Sequence, residues 1–233
     1  MNYLRMKKVE DPSHPLKYPH VASHKMDDFE RLLEYFGLVD YFNLSSPSTM
    51  TIFSKSNFVQ YEGKNYVAVI ENDNNAVSVV KLGGTNIDYG VACTTELDPA
   101  GEGCFWKVTI DDSSPIRGLL FLGILGNLNL KQHIYLDATA FGWGAGNQGF
   151  IKGYPLTNLG GWTRFNPGEC LYFHFKSDKL SMHSVQKKKT FFIDGIDTVT
   201  TKYYFHTNIT DVGTSMILGP LNAEERKTFT DNE

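Results

Sequence analysis

Metal chemistry is the first possibility raised by a chain of 233 residues that carries 7 histidines. His14, His20 and His24 are spaced by six and by four, in a polar segment broken by Pro12, Pro15 and Pro19. Zinc needs three or four N, S or O donors held in a fixed geometry. No cysteine lies near these histidines, and Asp27-Asp28 is the only close acid pair, so the segment is not expected to hold a metal on its own. A zinc shared between chains is the only version the spacing would suit. His174 and His183 lie on neighbouring predicted strands and could stand across from each other. They read as solvent-face or satisfied core histidines.

Other catalytic patterns are missing as well. There is no Gly-x-Ser-x-Gly elbow and no phosphate-binding Walker loop. Gly142-Trp143-Gly144-Ala145-Gly146, followed by Gln148-Gly149, is rich in glycine, but no Lys-Ser or Lys-Thr follows it. A loop between strands also offers no helix N-terminus to a phosphate. Asp111-Asp112 is a carboxylate pair in a predicted turn, whereas a glycosidase needs two acids facing across a cleft. No catalytic residue, metal or cofactor is assigned, and the chain is not expected to be an enzyme. Lys187-Lys188-Lys189 reads as a solvated hairpin tip that blunts edge pairing.

The remaining chemistry is recognition. Trp106 belongs to an alternating strand and is expected in the core, but Trp143 and Trp162 fall in stretches rich in Gly and Asn. Two readings stand: these two cap the end of a fold, or they line a recognition surface, where aromatics beside adaptable amides are common. The expected partner-binding set is Tyr89, Trp143, Asn147, Gln148, Trp162 and Arg164, with a protein or peptide as the partner. A lectin-like module stacking sugars on the same aromatics is the alternative, and a glycoside hydrolase on a sandwich fold is a third reading.

Composition narrows the field. Net charge is −4, so no general phosphate-binding surface and no nucleic-acid partner is implied. No run reaches the roughly 18 apolar residues of a membrane span; Gly118 to Leu130 is too short and is interrupted by Gly and Asn. There is no basic-then-apolar opening. Cys93, Cys104 and Cys170 are few and odd in number, which fits reduced thiols. A cytoplasmic protein is expected. Asn43-Leu44-Ser45 and Asn208-Ile209-Thr210 match the glycosylation pattern, and both are read as chance.

The elements that must position these residues are strands. Aromatic content is 13 %, with 21 glycines, which favours strands and tight turns over helices. Leu171, Phe173 and Phe175 alternate with Tyr172 and His174, and Leu180, Met182 and Ser184 alternate with Ser181 and His183. That period of two predicts a three-stranded antiparallel meander through Thr190 to Ile196, with one face buried. Further strands are expected at Phe58–Tyr61, Tyr66–Glu71, Ala76–Lys81, Tyr89–Thr94, Cys104–Ile110, Gly149–Tyr154, Lys202–Ile209 and Thr214–Leu218. Arg117–Leu125 is nearly all apolar and reads as a central strand. Met50–Ser54 is a further strand candidate, and Gln132–Leu136 is weaker. Turn residues every 8 to 12 positions point to a mostly β chain, a two-sheet antiparallel sandwich. Trp106, Leu120, Leu122, Leu171, Phe173 and Phe175 are its expected core.

The first 44 residues differ. Lys25 to Tyr35 reads as the longest helix, with Phe29, Leu32, Leu33 and Phe36 forming one apolar stripe. Ser45 to Thr49 is a Ser/Pro-rich joint, the β region runs from 45 to 221, and 222–233 reads as a polar tail. Asn2-Tyr3-Leu4-Arg5 and Phe29-Glu30-Arg31-Leu32-Leu33-Glu34-Tyr35-Phe36-Gly37-Leu38 resemble the closing helices of a BTB/POZ domain of the potassium-channel tetramerisation type. That resemblance implies possible self-association through residues 1–44.

The β region resembles the SPRY domain. The resemblance rests on the order of Phe105-Trp106-Lys107-Val108-Thr109-Ile110, the Gly-containing strand Gly118 to Gly126, and the loop Phe141-Gly142-Trp143-Gly144. The step Gly168-Glu169-Cys170-Leu171, the strand with Leu180-Ser181-Met182, and the pair Tyr203 to Ile209 and Ser215 to Leu218 complete it. Where that family often carries Leu-Asp, this chain has Phe173-His174-Phe175-Lys176. The resemblance implies a protein-recognition module that binds short segments through loops at one end of the sandwich. Together with a BTB-like opening it implies an adaptor of a ubiquitin ligase.

Overall fold

Alternating apolar residues need a second apolar surface to cover them, and this chain supplies it with a second sheet. The computed structural model describes residues 53–60, 67–72, 76–83 and 89–230. The strands are β1 (Phe58–Gln60), β2 (Val67–Asn72), β3 (Ala76–Lys81), β4 (Tyr89–Leu97), β5 (Cys104–Ile110), β6 (Leu120–Leu125) and β7 (Ala140–Gly144). They continue with β8 (Gln148–Ile151), β9 (Tyr154–Thr157), β10 (Cys170–Lys176), β11 (Lys179–Ser184), β12 (Lys189–Ile193), β13 (Tyr203–Ile209) and β14 (Ser215–Gly219). One helix, α1 (Ala223–Thr230), follows. Two seven-stranded sheets form, ordered β1-β4-β13-β6-β7-β8-β9 and β12-β11-β10-β5-β14-β3-β2. Each ladder is antiparallel, so the expected sandwich is the observed one.

The meander is present as β10-β11-β12, with Phe173 opposite both Met182 and Trp106. Phe173 lies parallel to Trp106 with ring centroids 5.2 Å apart, and Trp106 meets Phe205 of the facing sheet edge-on at 6.2 Å. All six expected core residues are buried to 1 % exposure or less. The apolar strand β6 is buried along its whole length at the centre of its sheet, although it starts at Leu120 rather than Arg117.

Both sheets are also covered on the outside, which period-two patterning does not announce. The stretch expected as a polar tail contains α1. Asn222 caps it: the Glu225 amide donates to Asn222 Oδ1 at 2.9 Å, and the Asn222 amide donates to Glu225 Oε2 at 2.8 Å. This reciprocal pair is a capping box. Lys107 holds Glu225 at 2.7 Å, and Phe229 is fully buried against Phe105, His174 and His183. His174 and His183 therefore share one covered face. They do not oppose each other directly, since Tyr172 faces His183 and His174 faces Ser181.

The other sheet is covered by the segment after β6, where Gln132–Leu136 holds a 3-10 turn, Ile134–Leu136, in place of the expected strand. Under it lie Phe121, His206 and Asn208. His206 and Asn208 are both 0 % exposed, and no partner of hydrogen-bonding geometry reaches either side chain among the described residues. Burial pushes the His206 imidazole down to about 3; Asn208 and Asp137 act weakly the other way. Asn208 is thus no exposed glycosylation acceptor.

Phe53 and Ser54, at the end of the strand candidate Met50–Ser54, precede a 3-10 turn, Lys55–Asn57. The BTB-like segment, the helix expected at Lys25–Tyr35 and His14, His20 and His24 lie outside the described residues.

Candidate functional site

One end of the sandwich gathers the loops that follow β5, β7, β9, β11 and β13. Strand ends Lys81, Tyr89, Ile110, Leu120, Gly144, Cys170 and Ile209 meet there through the register of both sheets. The expected binding residues belong to this end, but their exposures differ from the expectation.

Trp143 is not in a loop. It is the fourth residue of β7, opposite Leu122 and Gly149, and it is 0 % exposed. Gly142 and Gly144, read as loop glycines, are strand residues. Gly142 faces Gly123, and a Cβ at either would stand 2.9 Å from Phe121 Cζ, so the glycines open a lane for that ring. The true turn is Ala145-Gly146-Asn147, where Gly146 (φ 88°) and Asn147 (φ 68°) take the left-handed region.

Trp162 is also 0 % exposed. Its indole N–H donates to the Gly144 carbonyl at 2.8 Å, and its ring packs on Phe165 at 4.7 Å and edge-on to Phe191 at 5.2 Å. It fastens the loop after β9 to the end of β7. The Asn158 amide donates to the Asn147 carbonyl at 2.9 Å and adds a second tie. Asn147 and Gln148 are half-buried, and Tyr89 is nearly buried beneath the Lys81 amine, 4.7 Å from its ring centroid. The sugar-stacking and exposed-anchor readings of the two tryptophans therefore lose their geometry.

Arg164 is exposed, as expected of a binding residue. It lines a pocket of about 340 Å³ together with Arg117, Ile116, Leu119, Ala145 and Phe165, with Gly118 and Gly146 at its margins. Arg117 was not anticipated, because the apolar run behind it drew it into the predicted strand. Instead it stands ahead of β6, where Arg117 N–H and Gly118 N–H both donate to Asp211 Oδ2, at 2.8 and 2.6 Å. That carboxylate fixes the backbone beneath Arg117. Neither guanidinium has a hydrogen-bond or ion-pair partner among the described residues.

Two other carboxylates at this end, Glu169 and Asp111, are committed. Glu169 is 1 % exposed and accepts from Ser184 Oγ at 2.6 Å, from Asn166 N–H at 2.7 Å and from the Lys187 amine. Lys187 also lies 4.9 Å above the Trp162 ring, so it is no free hairpin tip. Asp111 accepts from Ser113 N–H at 2.8 Å and from its hydroxyl at 2.5 Å, and these bonds hold its carboxyl below the usual range.

A second hollow, about 400 Å³, lies by the β10–β11 hairpin and is lined by Lys176, Asp178, Lys179 and Asp194 among others. Its charges balance, and Lys179 already reaches Asp194 at 3.7 Å. Among the described residues no cluster of His, Cys, Asp and Glu is arranged to hold a metal.

No protein-family model matches the chain, and no curated protein matches it. Among solved structures it is similar to the SPRY domain of human HERC1, at 12 % identity and a TM-score of 0.49, covering 73 % of this chain and 98 % of that one. It is similar to the TRIM65 PSpry domain at 14 % identity and a TM-score of 0.47, covering 67 % and 84 %. It is also similar to a carbohydrate-binding module, CBM66 of Bacillus subtilis, at 11 % identity and a TM-score of 0.36, covering 70 % and 92 %. These are likenesses of architecture.

Proposed function

We propose that the chain is a non-catalytic module that binds a protein partner at the loop end of its sandwich, with the Arg117–Arg164 pocket at the centre of the contact. The observation that carries this reading is an apolar floor flanked by two unengaged guanidinium groups, all on loops held by a buried framework. Loops mounted on a rigid sandwich are a common binding device, because the scaffold meets the ordering cost before the partner arrives. Arginine is also among the residue types that dominate interface energetics. A further step, that the module serves as the substrate receptor of a ubiquitin ligase, rests on the BTB-like motifs of residues 1–44.

The test is partner capture from lysate with the full chain and with Arg117→Ala/Arg164→Ala, identified by mass spectrometry. Partners retained by the wild type and lost from the double variant, at unchanged melting temperature, support the reading. A partner set indifferent to both arginines and to Ala145→Phe, which fills the pocket, refutes it. Cullin subunits among the captured proteins would support the ligase step, and their absence alongside specific partners would remove it.

A further inference from the structure

We infer that the loop-end pocket is selective for an acidic peptide segment, holding a side-chain carboxylate between Arg117 and Arg164 and a neighbouring aliphatic side chain on Ile116 and Leu119, backed by Phe165. This rests on the reading of the loop end as the binding surface and specifies what that surface takes.

Three observations carry it. The chain holds five arginines among 22 basic residues, and two of the three that lie in described segments line this one pocket. None of the lining residues is acidic, although acids outnumber bases 26 to 22 in the chain. Three carboxylates at this end are turned elsewhere: Asp211 to backbone amides, Asp111 to Ser113, and Glu169 to Ser184, Asn166 and Lys187. A guanidinium fork matches a carboxylate with two parallel N–H donors, and this pairing is stronger than a neutral hydrogen bond.

The apolar floor adds the second half of the specificity. Phe165 is 2 % exposed and locked against Trp162, so it backs the floor as a fixed support. Ile116 and Leu119 are half-buried, which leaves apolar area for a ligand to cover. A free inorganic anion would use the arginines and leave that floor wet. A basic or purely apolar peptide would leave both cations without a counter-charge. An acidic residue beside Leu, Ile or Val satisfies both parts at once.

The experiment is selection of a random 12-residue phage library, displayed without a free C-terminus, on the full wild-type chain and on Arg117→Glu/Arg164→Glu. Wild-type selections should enrich Asp or Glu within two positions of an aliphatic residue, and the reversed pocket should enrich Lys or Arg instead. A synthetic winner should lose about tenfold or more in affinity when its acid becomes the amide, and should weaken as salt rises from 50 to 500 mM. Winners without acids that are lost on Ala145→Phe would overturn the acidic specificity while leaving the loop-end reading intact. Winners indifferent to Ala145→Phe, or none at all, would overturn both. Oligothymidylate binding displaced by Ala145→Phe, with no acidic enrichment, would overturn the proposal in favour of a nucleic-acid site.

Discussion

His206 should make the fold sensitive to mild acid, well above the range in which its carboxylates titrate. Its ring is completely buried beneath the 3-10 turn, 5.3 Å from the Phe121 ring, and burial holds it at about 3. An unfolded histidine titrates near 6.5. The unfolded chain therefore takes up a proton that the folded chain refuses, and folding free energy is lost as pH falls from about 6.5 towards 3. Between pH 7.5 and pH 5 the single-site expression gives a loss of about 2 kcal/mol. Asp111, Asp137 and Asp197 are held below the usual carboxylate range, so their contribution is lost only at lower pH. The assay is urea denaturation at both pH values for the wild type and for His206→Leu, whose pH-dependent loss should be smaller by that amount. NMR of the wild-type imidazole supplies a reading that needs no variant: its signals should stay in the neutral form down to about pH 4. A ring titrating near 6.5, or the same acid loss in both proteins, would refute the reasoning.

The other predictions test the framework around the site. Phe173→Ala and Trp143→Ala should each cost about 3–5 kcal/mol in chemical denaturation, because both side chains are fully buried between the sheets; a loss under about 1 kcal/mol would contradict the packing. Trp162→Phe removes the donor to Gly144 and should cost about 1 kcal/mol. It should also weaken the partner captured through Arg164, although Trp162 is itself buried; unchanged affinity would show that the loop holds without this tie. Glu169→Gln should destabilise by about 2–3 kcal/mol, since it strips the Lys187 amine of its counter-charge and replaces an acceptor with a donor. Phe229→Ala should uncover the outer face of β10 and β11, and the His183 imidazole, now held low by burial, should move back towards its ordinary value in an NMR titration.

Strands were legible in this chain because their signal is local. Cys104–Ile110 and Ala76–Lys81 are found with the expected boundaries, and the Glu169–Ile196 meander is found as β10-β11-β12, although His174 pairs with Ser181 and not with His183. What covers the sheets was not legible. Tyr172 and His174 alternate with core residues, which places them on the face away from the sandwich core, yet α1 covers that side. The Asn222-x-x-Glu225 capping box was a usable signal for α1, but one buried aromatic, Phe229, is too sparse for a periodic stripe. The tryptophans failed for a different reason. Glycine beside Trp143 suggested a loop, whereas here glycine clears room on a sheet for Phe121. One sequence feature has two physical causes, and only the partner strand tells them apart.

The same inversion explains how the pocket is built. The residues most suited to anchoring a partner, Trp143 and Trp162, are spent on the frame, and the groups left at the surface are two arginines over aliphatic and aromatic floor. Trp162 joins the loop after β9 to β7, and Asp211 clamps the backbone ahead of β6, so each arginine has its own fastening in the fold. Neither fastening uses a group that a ligand would need. The guanidinium groups stay without partners while Asp211, Asp111 and Glu169 are satisfied by backbone amides, hydroxyls and Lys187. A fold that left those acids free would have closed the pocket on itself by ion pairing. Committing Asp211 to the turn ahead of β6 therefore does two things at once: it places Arg117 and keeps it available.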